Sequence, residues 1–145
     1  MLDLVRDVFT TLQQEAATYP QNVQIWMKVM AGSFLASIVF FYAKTGARWI
    51  LAAFVLNVLG LVIGKILFPE ASRTVIGTYV HILFWPAILF AVWRSARQLS
   101  FSRGSNSMFD WAYIGWLGWA CLVMAVSLFF DFRNLMVGLD ATVTP

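Results

Sequence analysis

The chain has 145 residues, of which 61% are hydrophobic, 17% aromatic and only 12% charged, with a net charge of +3. A soluble domain carries about a quarter charged residues, so water is excluded as the main solvent. The ten Lys and Arg residues spread over all the loops without forming a basic stripe, which argues against a nucleic-acid partner, and a single cysteine, Cys121, excludes an internal disulfide.

Met1 to Tyr19 places Leu2, Val5, Phe9, Leu12 and Ala16 at steps of three and four, with Asp3, Arg6, Asp7, Gln13 and Gln14 around the rest of the wheel. This spacing predicts an amphipathic helix lying in a membrane interface. Its acids and its broken apolar pattern are unlike a cleaved signal peptide, so the segment is expected to stay on the protein. Pro20 then turns the chain.

Four apolar runs follow, each long enough as a helix to cross a hydrocarbon layer about 30 Å thick. They cover residues 23–42, 49–67, 75–93 and 111–130. The expected fold is all-α: a single domain formed by an integral membrane bundle of four antiparallel spans joined by short loops. Trp26 and Tyr42 stand at the two ends of the first run, as an aromatic belt requires, and Lys28 can reach outward along its methylene stem. Gly32 and Ala36 in the first span, Gly60 and Gly64 in the second, and Gly115 and Gly118 in the fourth predict close helix contacts. Pro69 ends the second span, Ser72 or Thr74 is expected to cap the third, and Asp110 is expected to cap the fourth. A polar link around Gly104 joins the last two spans, and Asp131 to Pro145 reads as a polar tail.

The stretch NVLGLVIG, Asn57 to Gly64, with the upstream Gly46-Ala47-Arg48, resembles the corresponding stretch of small dimeric fluoride channels. It covers only a small part of the chain. The threonine and phenylalanine motif those channels carry on the next helix is replaced here by TYVHILFWP, so the likeness reduces to a tightly packed helix. Loop charges divide five against five between the two faces, counting Lys28 and Lys65, and give no firm orientation. The lean is toward Lys44, Arg48, Arg94, Arg97 and Arg103 on the cytoplasmic side.

The third run holds the chain's one histidine, His81, and Pro86, which frees the carbonyl of Ile82. Thr78 and Trp85 share the face of His81 at minus three and plus four. Counted from the ends of the predicted spans, Asn57 lies about 6 Å deeper than His81 on the neighbouring helix, and Lys65 emerges on the same side. His81, Asn57, Lys65, Thr78 and Trp85 therefore form the candidate site for a cofactor or ligand, whose identity the residues leave unknown.

The residue types limit the chemistry. Zinc needs three or four ligands where the chain offers one His and one Cys, and a haem would need a second axial ligand from Met124 or another subunit. No Asp or Glu falls inside any of the four runs, which argues against acid-base catalysis and against a proton-coupled exporter. A quinone or lipid headgroup hydrogen-bonded to His81, with Phe84 and Trp85 stacking, is chemically easier. Two functions are expected on this basis. The first is a non-enzymatic, multi-pass accessory subunit of a bacterial inner membrane, whose partners are the lipid bilayer and either other membrane proteins or further copies of itself. The second is a binder of a membrane-dissolved quinone, lipid or haem at His81.

Overall fold

A computed structural model describes residues 2–99 and 107–143, and the polar link around Gly104 and the end of the tail lie outside the described residues. Every regular element among them is helical: α1 (Leu2–Ala17), α2 (Gln21–Leu35), α3 (Ser37–Phe40), α4 (Thr45–Leu67), α5 (Arg73–Leu99) and α6 (Met108–Val143). Four stretches are long and apolar enough to cross a membrane: Gln21–Phe40, Thr45–Leu67, Arg73–Arg97 and Met108–Val137.

Of the apolar face read from the sequence, α1 buries Leu12 against the ends of α4 and α5, together with Val8 from beside that face, while Phe9 is exposed. The first span is not one smooth helix. At Ala36 the hydrogen-bond ladder tightens to the three-residue spacing of a 3₁₀ turn, with Val39 N–H donating to Ala36 O, which separates α3 from α2. No proline or glycine marks the position, so the sequence carries no signal for it.

Close approach between α4 and α5 comes from two of the expected glycines. A Cβ on Gly60 would sit 2.6 Å from Val80 Cγ2, and one on Gly64 would run into Ile76 Cγ2, so only glycine admits this packing. The pairing of 60 with 80 and 64 with 76 makes the two helices antiparallel. Gly32, Gly115 and Gly118 differ from expectation: a Cβ on any of them meets nothing within 4 Å. Their apolar spacing is the same, but their bare faces point away from neighbouring helices.

Contacts between α2 and α6 fix a second antiparallel pair. The indole of Trp26 donates to Ser127 Oγ at 3.1 Å, and those of Trp116 and Trp119 donate to Ser33 O and Ser33 Oγ at 2.9 and 2.8 Å. Trp26 thus points toward α6 rather than standing only at a rim, whereas Tyr42 is almost fully exposed. Phe40 packs on Phe109, Tyr113 and Trp116 at the opposite end. The core between these helices is formed by Phe34, Ile50, Trp85, Val92, Tyr113, Val123 and Met124, with Ala47, Ala53 and Ala120 letting backbones approach.

Helix ends follow local chemistry. Ser72 caps α5 through the Val75 amide, as expected. Asp110 is not the cap of α6: Ser107 holds that position and receives the Asp110 amide, while the Asp110 carboxylate accepts from the Ser107 hydroxyl and amide. This is a reciprocal capping box, with the acid three residues inside. Lys44 pairs with the same carboxylate and ties the α3–α4 turn to it.

Candidate functional site

His81 leaves α5 toward α6 and α4. Its Nδ1 lies 2.7 Å from Asp131 Oδ2, and the hydroxyl of Thr78, one turn earlier, donates to the other carboxylate oxygen at 3.0 Å. The amide nitrogen of Asn57 stands 3.0 Å from His81 Nε2. One turn later Trp85 stacks on the imidazole with ring centroids 3.8 Å apart and 30° between planes. The His81 and Asp131 side chains are only 12% and 14% exposed.

Four of the five residues singled out from the sequence come together. Asn57 is level with His81 rather than about 6 Å deeper, because α5 starts at Arg73 and lowers His81 by about half a further turn, with the amide side chain closing the rest. Lys65 goes elsewhere. Its ammonium donates to Glu15 Oε1 at 2.6 Å and to the Ala71 carbonyl at 2.9 Å. The second oxygen of Glu15 accepts the Arg73 amide at 2.6 Å, so a carboxylate on α1 caps the positive end of α5. Burial works against ionisation of Glu15, but the hydrogen bonds from Lys65 and the Arg73 amide, with the charges of both side chains, outweigh it and hold its carboxyl below the usual range.

Asp131 is the residue the sequence reading missed, because the last apolar stretch runs on past the run of residues 111–130 from which acids are absent. The final helix does not stop at Phe130; it continues as α6 to Val143 and carries Asp131 inside the apolar stretch Met108–Val137. The signal was present in the local pattern FFDF, an acid between aromatic residues with Leu135, Met136 and Val137 beyond it. A buried carboxylate is costly unless paired, and His81 and Thr78 supply the pairing.

Beside this cluster α2 packs loosely. A cavity of about 480 Å³ lies between α2 and α6, walled by Asn22, Val23, Trp26, Met27 and Met30 on one side and Ser127, Phe130, Asp131 and Asn134 on the other, with His81 at its inner wall. A smaller one of about 160 Å³ shares Val23, Met27, Met30, His81 and Asp131 and reaches Asn57, Thr78 and Arg73. A third, of about 410 Å³, shares Met27, Met30 and Asn57 with the second and is roofed by Gln13, Ala16 and Ala17 of α1. Together these spaces lead from beneath α1 to the His81–Asp131 pair.

The donors present limit what the site can do. Among the described residues no three His, Cys, Asp or Glu side chains converge. Met124, considered from the sequence as a haem ligand, is fully buried in the apolar core, two helical turns and about 10 Å along α6 from Asp131. Phe84 packs partly buried against the same core. The Thr78 hydroxyl beside His81 donates to Asp131. Two polar atoms near the cluster, Asn57 Oδ1 and Trp85 Nε1, are buried without a hydrogen-bond partner.

Comparison with known proteins adds no class: no protein family, no characterised protein and no solved structure matches the chain.

Proposed function

We propose that the chain is a multi-pass membrane protein, a bundle of four spans with α1 lying across one end, that holds a small membrane-dissolved molecule against His81 and Asp131 without carrying out a covalent reaction. One observation carries this reading: the cavity of about 480 Å³ between α2 and α6 has the His81–Asp131 pair in its wall and apolar side chains around it. Ligand sites of this kind are mostly apolar with a few convergent polar groups, in volumes of roughly 300 to 1,000 Å³.

Inside a bilayer, a carboxylate and an imidazole facing a cavity mark a functional position more often than a packing detail. The accessory-subunit role expected from composition draws on no particular contact and gives way to the ligand reading. An inner-membrane location is part of the proposal and rests on composition alone.

Native mass spectrometry of the protein released gently from its own membrane tests the reading. A bound small molecule is expected on the wild type and is expected to be lost from Met30→Trp, which fills the shared wall of the cavities. Identical bound species on both proteins, or none on either, would count against it.

A further inference from the structure

The cavity between α2 and α6 has a one-sided electrostatic character. Among its described lining residues, Asp131 is the single carboxylate and no Lys or Arg is present, while Trp26, Phe130, Met27 and Met30 line the same space. Carboxylate, π faces and polarisable sulfur all favour a cation with apolar bulk.

The hydrogen-bond pattern fits one tautomer of the pair. With the Asn57 amide nitrogen facing His81 Nε2, that nitrogen is the acceptor, and the ring proton sits on Nδ1 and is donated to Asp131. In this state the pair carries one negative charge. The buried Asn57 Oδ1 without a partner fits the other state. A half-turn of the amide would let Oδ1 accept a proton arriving on Nε2, and the pair would then be neutral.

The geometry points to a site that exchanges one proton for one monovalent lipophilic organic cation. This deepens, and rests on, the ligand reading above. The charge balances: the protonated, neutral pair and a cation go to the pair with its negative charge and bound cation, and one proton leaves Nε2 for water. The protonated empty site and the cation-bound site are both neutral, whereas the deprotonated empty site carries the costly uncompensated charge that a cation would relieve.

The other charged groups around the pair are accounted for. Arg73 of α5 lines the smaller cavity and donates to the Leu12 carbonyl, and Lys28 of α2 lines the space under α1. Lys65 of α4 and Glu15 of α1 satisfy each other, Tyr19 bonds Thr74, and Arg133 of α6 is exposed. None of these groups is a histidine, the side chain whose charge ordinarily changes across neutral pH.

The test is calorimetric titration of the full chain in lipid nanodiscs with tetraphenylphosphonium, at about pH 6 and about pH 8, the range in which histidine titrates. Each titration is run in two buffers of different ionisation heat. Release approaching one proton per cation is expected at about pH 6 and less at about pH 8, with affinity rising with pH by up to about tenfold per unit where the pair is protonated. Asp131→Asn is expected to weaken binding at least about tenfold and to flatten the pH dependence. The proton count needs only the wild type, so it stands even if that variant fails to fold. Cation binding without proton release at either pH overturns the exchange. Binding of decylubiquinone, a neutral amphiphile, but not of the phosphonium overturns the cation inference and leaves the ligand reading standing. Binding of neither overturns both.

Discussion

His81 and Asp131 lie 50 positions apart in the chain, yet their side chains meet at 2.7 Å in a part of the molecule where both are almost withdrawn from solvent. Each makes the other tolerable. The carboxylate gives the imidazole a strong acceptor, and the imidazole N–H, with the Thr78 hydroxyl, replaces the water Asp131 has lost.

The energetic consequence is unequal for the partners. Thr78→Val is expected to cost about 1 kcal/mol, the usual scale of one interhelical hydrogen bond. His81→Leu is expected to cost about 3 kcal/mol, because it leaves Asp131 buried without its partner. Adding Asp131→Leu to His81→Leu should recover part of that loss instead of increasing it. Reversible denaturation in mixed micelles of the wild type, Thr78→Val, His81→Leu, Asp131→Leu and the double variant checks the pattern, and strictly additive losses would contradict it.

Glycine positions separate by environment. Gly60→Ala and Gly64→Ala place a methyl group against Val80 and Ile76 and are expected to destabilise by about 1–3 kcal/mol. Gly115→Ala and Gly118→Ala meet open space and should be neutral or slightly stabilising, since alanine is the better helix former. The same denaturation measurement distinguishes the two pairs.

The docking of α1 depends on pH through Glu15. Its carboxyl is held below the ordinary value of 4.5, so the docked state binds fewer protons than the released one. The stabilisation is therefore fully present above the ordinary value and is lost as pH falls through the lowered one. Distances between spin labels on Thr10→Cys and Glu70→Cys, in a Cys121→Ser background, should stay short near neutral pH and lengthen in acid. Glu15→Gln should shift the distribution toward the long distance already near neutral pH.

The apolar runs made the long helices legible, because a stretch without charge has few other stable structures. The stopping points were less legible. Asp131 and Arg133 look like the start of a polar tail, and only the partners on α5 show why the helix carries an acid onward. Lys65 shows the converse. It lies on the same side as His81, but rotation about the helix sends it to Glu15, on an element whose docking position sequence periodicity does not give. His81, Asn57, Thr78 and Trp85 were legible as a group because three of them share one helix face and the fourth is the one amide in the middle of the neighbouring apolar run.

The single histidine makes the central claim directly measurable. In protein labelled with ¹⁵N only at histidine and reconstituted in lipid, one imidazole gives the whole signal. The account predicts a strongly hydrogen-bonded Nδ1–H and an unprotonated Nε2 that accepts from Asn57 in the ligand-free protein, with the Nδ1 signal moving on Asp131→Asn. A tautomer mixture with rapidly exchanging protons, unchanged by that substitution, would contradict the His81–Asp131 contact and the site built upon it.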